Sequence, residues 1–259
     1  VNRPLLLRSV SARVRRHKLK TLVMALGIVI GVLSTVLLQT VSDSVRDAFQ
    51  RFIARAYPSD GVVLVAGTGF MGSGPGRTNL QFADVESVAN SIGATQWDPV
   101  VYAGYRDVKR AGNNLRVMVS GYSENAEHVR RRSPSEGEFF SADEVKGRAK
   151  VALIGATTAA TLFPGESPVG AELFIDNVPF EVRGVLERVG VDPHGNDQDN
   201  AIWIPYTTLM GMLKRTNVNA ATYTVADGRL EEVQKEITDL MRERHHTAGG
   251  EDDDFTVIT

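Results

Sequence analysis

Hydrophobic and polar positions fall into three regimes along the chain. Residues 21–42 hold no Asp, Glu, Lys or Arg and consist mainly of Leu, Val, Ile, Ala, Gly and Thr. At ~1.5 Å per residue, a helix over 21–41 reaches ~30 Å, the thickness of a bilayer's hydrocarbon core. That match predicts a membrane-crossing helix. From residue 42 the pattern turns amphipathic. Val41, Val45, Ala48, Phe49, Phe52, Ile53 and Ala56 recur at intervals of three and four, while Arg46, Asp47, Gln50, Arg51 and Arg55 take the other face. Pro58 disfavours helix at Tyr57. Residues 42–58 are therefore expected to continue the helix as a stalk, with Val45, Phe49, Phe52 and Ile53 as packing positions. It would project ~20–25 Å beyond the bilayer.

Past residue 58, short strand and helix signals alternate. Val62, Val63, Leu64 and Val65 read as a buried strand, and Phe82, Val85, Val88, Ala89 and Ile92 as a helix. Strands are expected near 100–108 and 115–122, joined through Ala111, Gly112, Asn113 and Asn114, with a short helical piece over 124–132. Residues 151–155 predict another strand, followed by a short helix broken at Pro164 and Gly165 and a hairpin turning near Asp176 and Asn177. A last helix carries Leu230, Val233, Ile237, Leu240 and Met241. Glu231 and Glu232 open it, and Arg242, Arg244, His245 and His246 suit its carboxyl end. The expected fold class is α+β: one transmembrane helix extended into a stalk, then an outer domain of βαβ and hairpin units over 59–259.

Charge changes this picture at one end only. The 259 residues carry a formal net charge of -2, which gives no basic surface for nucleic acid. Yet residues 1–20 hold Arg3, Arg8, Arg13, Arg15, Arg16, Lys18 and Lys20, and the first acid is Asp43. Interleaved Leu5, Leu6, Leu7, Val10, Val14 and Leu19 fit a helix on the inner lipid surface; a disordered basic flank is the alternative. On either reading, the cations hold residues 1–20 in the cytoplasm and send the residues after about 42 outside. Arg13, Arg15, Arg16, Lys18 and Lys20 are the expected membrane-surface residues. A cleaved secretory signal also begins basic and turns apolar, but its apolar core spans ~7–15 residues and closes on small residues. Here the run is longer and leaves through Leu38, Gln39, Thr40, Val41 and Ser42. Gly27 and Gly31 form a small-xxx-small pair that admits a partner helix closely; the other reading is that glycine is simply common in membrane helices.

Candidate chemistry adds little. The sequence has no cysteine, which removes disulfides, thiolate nucleophiles and Cys zinc sites. Gly67, Gly69 and Gly72 spell a G-x-G-x-x-G after a strand, but Gly74, Pro75 and Gly76 follow where a helix should open, so a flexible loop is the expectation. Residues 192–199 offer oxygen ligands without calcium-loop spacing and read as a polar loop. Adjacent His245 and His246 lack the i, i+4 spacing of a metal pair. Arg130, Arg131 and Arg132 read as a solvated face, and residues 251–254 as a solvated turn. No catalytic, cofactor-binding or metal site is expected.

Several segments, in order, resemble the MacB-type permeases of ABC transporters, the MacB and FtsX superfamily. Lys20-Thr21-Leu22, Leu26-Gly27-Ile28 and Ile30-Gly31-Val32 are similar to that family's first membrane helix. Val151-Ala152-Leu153-Ile154-Gly155, Ala159, Leu162-Phe163-Pro164-Gly165, Pro168-Val169-Gly170 and Phe180-Glu181-Val182-Arg183-Gly184-Val185-Leu186 are similar to its periplasmic core domain. Leu240-Met241-Arg242-Glu243-Arg244-His245-His246 and Asp253-Asp254-Phe255-Thr256-Val257 resemble the segment before its second membrane helix. The family continues into three more membrane helices, so the chain is expected to be the front part of a permease or a split or truncated form. The resemblance implies an inner-membrane homodimer, a separate cytoplasmic ABC ATPase subunit or domain, and a periplasmic adaptor leading to an outer-membrane channel. It also implies mechanotransmission that serves efflux or extraction of substrate. A signal-anchored periplasmic binding or adaptor protein without an ATPase is the alternative class.

Overall fold

The computed structural model describes residues 26, 27, 29, 31, 32, 61–67, 80–192, 195–226, 228–247 and 253–259. The chain divides into two units, Val1–Arg51 and Phe52–Thr259. In the first, Leu26, Gly27, Val29, Gly31 and Val32 are helical, and the three aliphatic side chains are more than half exposed. Among the described residues no helix is long and apolar enough to cross a membrane; most of 21–41 lies outside them.

The second unit is a mixed α/β domain built from β1 (Gly61–Ala66), α1 (Phe82–Ser91), β2 (Trp97–Arg110), β3 (Asn113–Tyr122), α2 (Ala126–Val129), β4 (Pro134–Gly137), α3 (Ala142–Lys146), β5 (Val151–Ile154), α4 (Ala156–Leu162), β6 (Glu172–Ile175), β7 (Val178–Leu186), β8 (Ala201–Pro205), α5 (Tyr206–Leu213), β9 (Ala220–Thr224), α6 (Leu230–His245) and β10 (Phe255–Ile258). The strands run in the order β10-β1-β9-β2-β3-β8-β5-β7-β4, and β6 pairs with both β2 and β7. Only β3 with β8 and β5 with β7 are parallel among the described pairs. Because β6 bridges β7 back to β2, the strands β2-β3-β8-β5-β7-β6 form a closed ring. Closure leaves the ring itself without an open edge, and β4 pairs on β7 as the terminal strand beside it. The other half is an open sheet, β10-β1-β9-β2, with α6 packed on β1 and α1 packed on α6.

Strand β2 belongs to both halves. Its residues Trp97 to Val100 pair with β9, and Val101 to Arg110 pair with β3. A register shift between Tyr102 and Gly104, with Gly104 at φ +76°, marks the change of partner. Both expected hairpin turns are present, and their φ values explain them: Ala111 and Gly112 lie at 47° and 86°, Asp176 and Asn177 at 47° and 66°. Two central residues with positive φ match the right-handed twist of the flanking strands.

Local pattern reading differs from the structure in the extent of one helix and in elements it did not reveal. The helical piece expected over 124–132 is only the single turn of α2, because Arg131 takes positive φ. Strands β4, β8, β9 and β10 and helices α3 and α5 had no predicted counterpart. They are too short to reveal a period.

Candidate functional site

Strand β1 reads Gly-Val-Val-Leu-Val-Ala and is buried throughout. Val62, Leu64 and Ala66 face the core that holds Val85, Val88, Val233 and Ile237, while Val63 and Val65 face a second core around Val100, Tyr122 and Trp203. Burial on both faces explains a continuous apolar run instead of an alternating one. On its flank, β10 runs antiparallel with Val63 opposite Ile258 and Ala66 opposite Phe255. The start of β1 and the end of β10 therefore lie side by side at one end of the sheet. This base is where the domain's first and last strands meet.

The opposite end of this strand pair, where β1 finishes and β10 begins, is fastened by ions. Arg242, in the last turn of α6, donates from Nη2 to Asp253 at 2.8 Å and from Nε at 3.1 Å, and Thr247 Oγ1 donates to the same carboxylate at 3.1 Å. His245 places Nδ1 2.6 Å from Asp254 Oδ1 and Nε2 3.3 Å from Asp84 Oδ2. Arg244 Nε donates to Asp84 Oδ1 at 2.9 Å, and Asp84 also accepts from Gln81 N at 2.9 Å, as part of a capping box on α1. Burial works to raise the Asp84 carboxyl, but the Gln81 N–H, Arg244 and His245 outweigh it and hold it below its ordinary value. The Arg242 guanidinium likewise lowers Asp253. Finally Gly67 N donates to Asp254 O at 2.7 Å, which joins the end of β1 to the approach to β10. Asp253 and Asp254 are thus clasped, in place of the solvated turn expected over 251–254. Their side-chain partners Arg242, His245 and Thr247 stand only 6 to 11 residues earlier, but they meet the two acids only once β10 folds back beside the end of α6.

A second ionic joint sits where β2 changes partner. Asp98, fully buried, accepts from Ser123 N at 2.8 Å, Ser123 Oγ at 2.9 Å and Arg130 Nε at 2.8 Å. Arg130 also lies 4.7 Å over the Tyr122 ring. Burial works to lower the Arg130 guanidinium, but Asp98 beside it raises it on balance. Arg132 meets buried Asp199 at 3.0 Å, donates to Glu187 O, and stands 5.3 Å over Trp203. Asp199 accepts in addition from Val189 N and Gly190 N, each at 2.9 Å. Arg130 and Arg132 therefore point inward, which corrects the solvated face expected at 130–132. A basic triplet carries no signal for buried partners 32 and 67 residues away. Residues 192–199 do form a polar loop, with Asp192 accepting from Asn196 N and Gln198 Nε2, but its last residue, Asp199, is interior.

Of the residues singled out in sequence, Gly27 and Gly31 are helical, and a Cβ built on either meets no atom within 4 Å. Arg13, Arg15, Arg16, Lys18, Lys20, Val45, Phe49, Phe52 and Ile53 lie outside the described residues. Among the described residues no group of His, Asp or Glu has the arrangement of a metal site. Among the described residues, the arrangement positions strands and ion pairs.

Known proteins share this architecture. The sequence model described as MacB-like periplasmic core domain matches residues 21–240. A macrolide export ATP-binding/permease protein MacB from Marinobacter nauticus is 30% identical over 253 residues, covering 97% of this chain and 38% of the relative. Its namesake from Rhodospirillum rubrum is 31% identical over 236 residues, covering 89% and 36%. The chain thus spans little more than a third of the curated relatives it matches. Among solved structures, the periplasmic region of MacB from Actinobacillus actinomycetemcomitans superposes with a TM-score of 0.67 at 18% identity, over 79% of this chain and 91% of that one. The extracellular domain of a noncanonic ABC-type transporter, YknZ, from Gram-positive bacteria gives 0.62 at 16% identity, over 77% and 100%. At these identities the likeness speaks for the fold. With the family's sequence pattern running through most of its length and the family's fold beneath it, the chain belongs to the MacB-like periplasmic core domain family.

Proposed function

We propose that this chain is the membrane-anchored, periplasmic part of an ABC-type permease that transmits movement outward. Residues 1–20 lie on the cytoplasmic lipid surface through Arg13, Arg15, Arg16, Lys18 and Lys20. Residues 21–41 cross the membrane, with Gly27 and Gly31 at a helix contact, and 42–58 form a stalk packed through Val45, Phe49, Phe52 and Ile53. The domain over 59–259 stands outside. It works as a homodimer with a cytoplasmic ABC ATPase, and its relatives' names make export its direction. A periplasmic adaptor and an outer-membrane channel complete the route. ATP hydrolysis belongs to the ATPase and not to the residues described above.

The observation that carries this reading is the pairing of β1 with β10 at the base. The amphipathic run of 42–58 leads in sequence directly into β1, and β1 is buried on both faces. Displacement of that run is passed to a strand that cannot move without its neighbours. The test is Ala48→Pro in the assembled transporter, because proline breaks a helix interior at a cost of about 3 kcal/mol. Export should fall to background while cysteines placed at Arg13 and Asp60 still label from opposite membrane sides. Undiminished export would refute the lever, and outside labelling of both sites would refute the topology. A binding or adaptor protein without an ATPase differs in one respect: no ABC ATPase would copurify with it.

A further inference from the structure

A pocket of about 450 Å³ opens beside α5, where the two halves of the domain meet. Phe82 from α1 and Tyr206 from α5 form its aromatic wall, with ring centroids 5.4 Å apart and planes 16° from parallel. Met210 adds a second apolar surface. Around these stand three cations, Arg148, Lys214 and Arg215, and no Asp or Glu lines the pocket. The acids that act on the Tyr206 phenol, Glu124, Glu86 and Asp98, are not among its walls. Among the described residues, no carboxylate lies within ion-pair distance of Arg148, Lys214 or Arg215. Arg215 donates from Nη2 to Asn219 Oδ1 at 2.7 Å and to Tyr102 O at 3.1 Å, but its Nε is buried without a hydrogen-bond partner. Burial, and then the neighbouring charge of Arg106, push this guanidinium below its ordinary value. Three cations beside an apolar wall, with no carboxylate among the lining residues, favour a bound anion.

We propose that this pocket binds an amphipathic organic anion, its apolar body against Phe82, Tyr206 and Met210 and its acidic head on Arg148, Lys214 and Arg215. The site does not depend on ATP-driven coupling, so it stands or falls separately from the lever. A fatty-acid carboxylate and the carboxyl terminus of an apolar peptide share the required chemistry.

The full chain in a neutral maltoside detergent is titrated with 8-anilinonaphthalene-1-sulfonate. Binding is read by energy transfer from tryptophan, since the Trp97 ring lies 5.9 Å from Phe82. Decanoate, an N-acetylated apolar tripeptide with a free carboxylate, and inorganic phosphate are then used as competitors. Saturable transfer, displaced by decanoate or by the tripeptide and not by phosphate, is expected, and the better competitor identifies the source. Arg148→Gln with Lys214→Gln, both at exposed positions, should weaken binding about fivefold, the range of two exposed charge contacts. Gly211 lines the pocket within α5, and a Cβ there comes 4.0 Å from Arg148 Nη1. Gly211→Leu should therefore abolish transfer without lowering the thermal midpoint, since leucine is the better helix former. Absence of saturable transfer, equal displacement by phosphate, failure of both organic anions to compete, or undiminished binding in Gly211→Leu would each overturn the proposal.

Discussion

Arg130→Met tests whether the ionic joint in β2 holds the two halves of the domain together. Methionine keeps the apolar stem that packs on Tyr122 but removes the charge. Asp98 is then left fully buried, with only the Ser123 N–H and hydroxyl to face it. Removing one partner of a buried ion pair costs about 3–5 kcal/mol. The lower end applies, since Ser123 remains and the Arg130 side chain is 20% exposed. For a unit of this size each kcal/mol moves the thermal midpoint by about 2–4 °C, so a loss of about 3 kcal/mol means a drop of roughly 6–12 °C. The assay is far-ultraviolet circular dichroism of the full chain in neutral detergent, scanned at several pH values. Burial already raises the Asp98 carboxyl against the pull of Arg130 and Ser123; without Arg130 it rises further. An acid whose folded pKa is raised stabilises most when protonated, and that stabilisation is lost as pH climbs through the folded value. The deficit of Arg130→Met should therefore be full at neutral pH and shrink as the solution is acidified. Asp98→Asn combined with Arg130→Met should recover part of the loss, because no buried charge is then unpaired. A midpoint within about 2 °C of the parent, or a deficit that ignores pH, would refute the reasoning.

Two further outcomes follow from the ionic clasp and the ring. Asp84→Asn should lower stability at neutral pH by about 1–2 kcal/mol, the range for charged hydrogen bonds with screening. Because Asp84 is held below its ordinary value of 3.8, its contribution is present above that value and fades as pH falls through the lowered one; parent and variant should converge in acid, and parallel acid limbs in urea titrations would contradict this. Gly155→Ala should be severe for its size. A Cβ there meets the Asp199 carbonyl oxygen at 2.2 Å and its carbonyl carbon at 2.8 Å, and Asp199 is pinned by Arg132 and two backbone amides. Overpacking of this kind costs about 1–3 kcal/mol, and an unchanged thermal midpoint would show that the Asp199 loop can move aside.

Much of the architecture was legible along the chain. The run of 62–65, the α1 and α6 periodicities and both hairpin turns depend on neighbours within a few residues, and β1, α1, α6 and the turns stand where those patterns place them. The ordered segments over 20–32, 151–186 and 240–257 together carried a family resemblance, and the matching domain bears it out. What the sequence by itself determined about this protein is thus its local elements, its charge asymmetry and its kinship. Only the tertiary structure decided which charges are interior. Arg130, Arg132, Asp253 and Asp254 were expected on solvated surface, yet each is held in an ion pair, the two arginines with buried acids 32 and 67 residues away. Ring closure through β6, the meeting of β1 with β10 and the cationic pocket beside α5 belong to the same class. Periodicity reports which side of an element faces inward, whereas pairing of charges across the sequence depends on where distant elements meet, and no local pattern encodes that.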